Sequence, residues 1–184
     1  MKVAQWKVLE ETIHTPRPYR RMKDVLFELP SGEAKMFSLK YEGKAAAVLA
    51  LTADGGVILA RQYRPGPNAV LDELPGGGPE PGETFEQAAA RELLEETGYR
   101  AGRLVSLGRV YECAYSTVHR EAFVAMDVVR VQEPSLDETE FVEVVIKPVH
   151  EFIGQLMRGE CTDPEVGWMG LFHLGVLKAR SVDL

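Results

Sequence analysis

Cysteine is scarce: Cys113 and Cys161 are the only two in 184 residues, and no C-x-x-C arrangement occurs. That excludes a disulfide framework and a cysteine-based zinc site. No apolar run approaches the roughly 20 residues that a bilayer span requires, and the opening MKVAQWKVLEETIHT lacks the apolar stretch of a secretory leader. The expectation is a soluble cytoplasmic protein with no membrane partner. Positive charge is outweighed, with 21 Lys and Arg against 28 Asp and Glu and a net charge of −7, so a nucleic-acid surface is not expected. The chain has no G-x-S-x-G, no H-E-x-x-H, no internal repeat and no low-complexity tract. His14, His119, His150 and His173 are scattered, which reads as ordinary surface or core.

What is present suffices for a sizeable core. With 45% hydrophobic and 27% charged residues, the chain reads as one globular domain with a small additional lobe. Its most informative stretch is Gly77 to Tyr99, GGPEPGETFEQAAARELLEETGY. Thr84 and Gln87 form a capping box, and Phe85 to Thr97 lacks Gly and Pro but is rich in Ala, Leu and Glu, so a helix is predicted. Gly98 is its natural stop. A glycine-rich loop therefore feeds a helix.

On that helix Glu92 and Glu96 are four residues apart and turned by roughly 40° from one another, and Glu95 is three from Glu92. Like charges at this spacing repel, so a compensating partner is expected: water or a divalent cation. Oxygen-only ligands that leave room for water and phosphates suit Mg²⁺, with Mn²⁺ as a substitute, rather than zinc. A solvated acidic helix face would account for the carboxylates alone. It does not account for the whole pattern, G-x5-E-x7-R-E-U-x-E-E-x-G-U with U a bulky apolar residue, which is met at Gly77, Glu83, Arg91, Glu92, Leu93, Glu95, Glu96, Gly98 and Tyr99.

Taken in order, residues 1 to about 43 contain strand-like runs at Lys2–Glu10, Asp24–Leu29 and Ala34–Tyr41, punctuated by Thr15-Pro16-Arg17-Pro18 and Pro30-Ser31-Gly32. A small antiparallel sheet is predicted. Trp6, Tyr19, Arg20 and Arg21 lie in it, where an aromatic beside two arginines could stack on a base and hold a phosphate, or simply pack the sheet. From Lys44 two apolar strands are joined through Asp54-Gly55-Gly56, a hairpin signal, and their continuous apolarity predicts a sheet covered on both faces. Val70–Leu74 forms a strand running into Pro75-Gly76-Gly77-Gly78. Strands at Arg103–Glu112, Glu121–Val131 and Phe141–Lys147 follow, then a helix over Pro148–Met157. A last helix, with Asp163 as N-cap and Pro164 at its first position, is predicted to about Arg180.

The Gly77–Tyr99 pattern is that of the Nudix box. Gln62-Tyr63-Arg64, Glu73-Leu74-Pro75, the acidic loop Asp137-Glu138-Thr139-Glu140 leading to Glu143-Val144, and Gly159-Glu160 add to it. Together they make the chain resemble the ADP-ribose pyrophosphatase branch of the Nudix hydrolases from about residue 44 to 178. The resemblance implies an α/β/α sandwich with a mixed sheet plus a small N-terminal antiparallel sheet. Residues 1–43 would be a dimerisation lobe and 44–184 the hydrolase domain, with the active site at a homodimer interface. It implies Mg²⁺-dependent hydrolysis of a nucleoside diphosphate sugar, ADP-ribose giving AMP and ribose 5-phosphate. Rival readings are hydrolysis of nucleoside di- or triphosphates or dinucleoside polyphosphates, and a non-catalytic nucleotide-sugar-binding module.

Carried over position by position, Glu92 and Glu96 are the main metal ligands, Glu95 shares the site and the Gly76 carbonyl supplies another oxygen. Glu83 and Arg91 tie loop to helix, and Arg64 contacts the substrate's phosphates. The base that activates water falls on Glu138, with Glu140 second. Two departures stand out: Leu74-Pro75-Gly76-Gly77 where LPAG is commoner, and Glu112-Cys113-Ala114-Tyr115-Ser116 where many relatives carry a segment like SPG.

Overall fold

The computed structural model describes residues 4–17, 20–43, 45–136 and 141–178. Their contacts divide into two compact units, one drawn from residues 1–44 and 111–119, the other from 45–110 and 120–184.

In the first unit β1 (Lys7–Arg17), β2 (Arg20–Glu28) and β3 (Ala34–Lys40) form an antiparallel sheet in that order. Trp6, Phe27 and Phe37 pack together with ring centroids 5.4–5.9 Å apart. Residues 111–119 join this unit because Ser116 bridges Lys40 in parallel, with Lys40 N–H donating to the Tyr115 carbonyl at 2.9 Å. The first strand differs from the expected Lys2–Glu10: it spans Lys7–Arg17 and so runs through Thr15, Pro16 and Arg17 of the expected turn Thr15-Pro16-Arg17-Pro18, whose Pro18 lies outside the described residues. Pro16 is tolerated because β1 is the edge strand and the pairing register shifts between His14 and Arg17.

The second unit is built on β4 (Ala45–Ala50), β5 (Gly56–Arg64), β6 (Ala69–Glu73), the short β7 (Gly76–Gly77), α1 (Phe85–Thr97), β8 (Tyr99–Arg100), β9 (Arg103–Tyr111), β10 (His119–Met126), β11 (Val129–Arg130), β12 (Glu143–Pro148), α2 (Val149–Met157) and α3 (Pro164–His173). The strands are ordered β7-β4-β10-β9 and β12-β5-β6, with β8 and β11 as a separate pair. Strands β4 and β10 pair in parallel while β4 and β7, β5 and β6, and β5 and β12 pair antiparallel, so the strand pairing is mixed.

Successive side chains of a strand point to opposite faces, and here both faces are covered. Ala47, Leu49, Val57, Leu59, Ala122 and Val124 pack with Phe152 and Leu156 of α2 and Val166 and Leu171 of α3. Their neighbours Ala46, Val48, Ala50, Ile58, Phe123 and Ala125 pack with Ala88, Ala89 and Leu93 of α1. That is the α/β/α layering expected from strands apolar at nearly every residue. Helix α3 is shorter than predicted, ending at His173 with Leu174 as its C-cap. Gln155, buried against β6, donates to the Asp72 carbonyl at 2.6 Å and the Glu160 carbonyl at 2.8 Å, which fixes α2 on the sheet.

Candidate active site

Helix α1 begins and ends as its sequence dictates. Gln87 N–H donates to Thr84 Oγ1 at 3.2 Å while Thr84 N–H donates to Gln87 Oε1 at 2.8 Å. Gly98 adopts φ 74° and donates to the Leu94 carbonyl at 2.8 Å. The helix buries Ala88, Ala89 and Leu93 against the sheet, and the same orientation takes Glu96 and Thr97 out of solvent.

Opposite this buried edge lies the glycine loop. Ala46 pairs with Gly77 and Ala47 with Gly76, and Val48 N–H donates to the Pro75 carbonyl at 3.0 Å, so the loop lies against β4. A Cβ on Gly76 would overlap the Ala46 carbonyl oxygen, and one on Gly77 would overlap the Glu92 carboxylate. Gly76 N–H donates to Glu96 Oε2 at 3.1 Å. Glycine at 76 therefore lets the loop lie close on β4, and glycine at 77 lets the Glu92 carboxylate approach the same stretch of backbone that Glu96 meets. Gly76, Gly77, Glu92 and Glu96 are thus brought together.

Arg91 answers much of the repulsion that the sequence left to water or a cation. Its Nε donates to Glu83 Oε1 at 3.1 Å, its Nη1 to Glu92 Oε1 and Glu95 Oε2 at 2.9 Å each, and its Nη2 to the Gly78 carbonyl at 2.9 Å. Glu83 also accepts from Glu80 N–H at 2.8 Å. Hydrogen bonding to Arg91 holds the Glu83 carboxyl below its ordinary range, and Glu83 foremost keeps the guanidinium charged. Loop, helix start and acidic edge are pinned through one fork-shaped cation.

Among the described residues no three His, Cys, Asp or Glu side chains form a ready metal cage. The donor set nevertheless fits a hard cation that keeps several waters. Glu92 and Glu96 are carboxylates against the Gly76–Gly77 backbone, Glu95 is half exposed beside them, and the missing Cβ at Gly77 lets the Glu92 carboxylate lie directly on the loop.

The other predicted residues fall elsewhere. Arg64 ends β5, and its Nε donates to Glu73 Oε2 at 2.6 Å. Arg20 pairs with Glu42 at 2.5 Å and Arg21 lies 5.4 Å from the Tyr41 ring centroid, both within the N-terminal unit. Tyr19, Glu138 and Glu140 lie outside the described residues.

Sequence reasoning missed a buried charged group. Asp163 does cap α3 by position, but its side chain makes no cap hydrogen bond and instead lies 2.8 Å from Arg120 Nη2. Burial pushes its carboxyl up to about 6, with Arg120 and Arg64 opposing and Glu73 and Glu165 reinforcing the shift.

Comparison with known proteins agrees with this geometry. A NUDIX domain profile matches residues 42–165. The chain is 39% identical over 122 residues to the ADP-ribose pyrophosphatase of Bacillus subtilis (strain 168) and 32% identical over 122 residues to the methanol dehydrogenase activator of Bacillus methanolicus. Each match covers 64% of this chain and 65% of the relative, so the chain matches just under two thirds of the length of these relatives. A crystal structure of an ADP compounds hydrolase shares the fold with a TM-score of 0.75 at 22% identity, covering 96% of this chain and 100% of that one. With its box residues assembled on a loop and helix of that fold, the chain belongs to the NUDIX domain family.

Proposed function

We propose that this protein is a Nudix pyrophosphohydrolase that cleaves the diphosphate linkage of a nucleoside diphosphate sugar, ADP-ribose first among them, to AMP and ribose 5-phosphate. The observation that carries the reading is the apposition of Glu92 and Glu96 to the Gly76–Gly77 backbone. The ADP-ribose pyrophosphatase relative supports the substrate class.

Glu92, Glu96 and Glu95, with the Gly76 carbonyl, would hold Mg²⁺, for which Mn²⁺ can substitute. When bound, such a cation neutralises diphosphate charge and acts as a Lewis acid. Arg64 binds the diphosphate. Glu138, or Glu140 in its stead, takes a proton from the attacking water as the new O–P bond forms and the bridging P–O bond breaks. The leaving phosphate departs as the second monoester. Glu83 and Arg91 keep loop and helix in register throughout. The N-terminal lobe, residues 1–43, serves as the dimerisation element of a cytoplasmic homodimer and offers Tyr19, Arg20 and Arg21 to the substrate.

The test is phosphate-monoester release with Mg²⁺ across ADP-ribose, GDP-mannose, UDP-glucose, diadenosine polyphosphates and nucleoside di- and triphosphates, beside Glu96→Gln. Turnover of a nucleotide sugar that the substitution abolishes is the expected result. Turnover of nucleoside di- or triphosphates alone overturns the substrate, and the departure at Glu112–Ser116 is the reason to include them. Binding without any turnover overturns the catalytic reading in favour of a nucleotide-sugar-binding module.

A further inference from the structure

Glu73 is 1% exposed, yet it carries an ionisable carboxylate whose Oε1 has no hydrogen-bond partner among the described residues. Its Oε2 accepts from Arg64 Nε at 2.6 Å. Near them lie the buried Asp163, whose Oδ1 also lacks a hydrogen-bond partner despite its 2.8 Å approach to Arg120, and Glu165, with an orphaned buried Oε2. A buried carboxylate with one unmet oxygen, close to two others, is a poor way to stabilise a fold, since an apolar residue of similar volume does as well or better. The arrangement calls for a use.

The guanidinium supplies one. Arg64 is 43% exposed at its side chain, against 1% for Glu73. The carboxylate engages Nε, and the Nη1 and Nη2 nitrogens make no hydrogen bond among the described residues. A planar guanidinium has a second edge, Nη1 with Nη2, whose spacing matches two oxygens of a phosphate. Anchoring one edge from inside fixes the direction of the other.

We propose that Glu73 is the positioning residue of the site: by holding Arg64 Nε it aims the free guanidinium edge at the substrate's diphosphate. The inference rests on the reading of Arg64 as a diphosphate-binding residue. Glu73 itself touches no substrate. Its effect passes through Arg64 alone, and that separates it from a residue that merely supports the fold.

The experiment is calorimetric binding of α,β-methylene adenosine diphosphate, with Mg²⁺ present, to the wild type, Glu73→Met, Glu73→Gln, Arg64→Ala and the Glu73→Met/Arg64→Ala double variant, each with its melting temperature. Glu73→Met removes the acceptor at similar volume and is expected to weaken binding about 10- to 100-fold, as Arg64→Ala does, without a lower melting temperature. Glu73→Gln retains an oxygen acceptor and is expected to fall between wild type and Met. The double variant is expected to bind no worse than Arg64→Ala. Wild-type affinity in Glu73→Met, losses that multiply in the double variant, or a wild type that does not bind the probe would each overturn the proposal. Nucleotide-sugar turnover by the wild type with no coupling between the two positions leaves the proposed activity standing and removes only this inference. Coupling without nucleotide-sugar turnover does the reverse.

Discussion

Any side chain on Gly77 would overlap the carboxylate of Glu92, and the clash is with the end of a flexible side chain rather than with backbone. Gly77→Ala is therefore expected to displace Glu92 at little cost to folding, under about 1 kcal/mol, and to lower kcat/KM by about 100-fold through misplacement of one carboxylate. At the adjacent Gly76 an added Cβ meets the Ala46 carbonyl and the Ala47 Cα, neither of which can swing aside. Gly76→Ala is expected to cost about 1–3 kcal/mol of stability as well. Thermal melts beside steady-state rates separate the two variants; equal melting losses would show that Gly77 serves only packing.

Arg91 reaches Glu83, Glu92, Glu95 and the Gly78 carbonyl at once. Arg91→Lys keeps the charge but loses the fork, and with its side chain 22% exposed the expected loss is about 2 kcal/mol. The acidic edge then depends more on a cation. Millimolar Mg²⁺ should raise the melting temperature of Arg91→Lys by several degrees more than that of the wild type. Equal shifts would mean that Arg91 does not share the burden of those carboxylates.

The residues with local causes were legible in the sequence. Thr84, Gln87 and Gly98 set the ends of α1 through contacts within a few positions, and the unbroken apolarity of β4 and β5 announced a sheet buried on both faces. The carboxylates of the box were legible for the same reason, by helical spacing. Arg91 as their common partner was only half legible: the tie to Glu83 was expected, whereas its reach to Glu92 and Glu95 depends on a rotamer that spacing does not fix. The Glu73–Arg64 and Asp163–Arg120 contacts join residues whose separation along the chain carries no period, so no pattern announced them. Pro16 misled because its turn signal holds for a free segment, while an edge strand with a register shift accommodates it.

The two thiols should differ in reactivity. Cys113 is exposed, whereas Cys161 is buried and its thiol is pushed up to about 11, chiefly by burial. Iodoacetamide at pH 8 is expected to label the native protein once, at Cys113, and twice only after denaturation. Rapid labelling of Cys161 in the native protein would show that the region around Asp163 opens readily.

The Asp163 carboxyl contributes stability that falls as pH rises. Its ordinary value is 3.8 and its folded value about 6, raised first by burial. Between those limits the folded chain holds a proton that the unfolded chain has released, so this contribution is full below about pH 4 and is lost as pH rises through about 6. The scale is of order 3 kcal/mol, with the opposition of Arg120 already contained in the shift. Glu83 runs the other way: its depressed carboxyl contributes above its ordinary value of 4.5 and loses that contribution as pH falls below it. Replacing Asp163 by Asn removes the first dependence and leaves the second. Urea unfolding of Asp163→Asn from pH 4 to pH 8 should therefore show stability rising through the acid range without the wild type's decline toward pH 7. A variant whose profile parallels that of the wild type would mean that Asp163 stays ionised throughout, held by Arg120 against its burial.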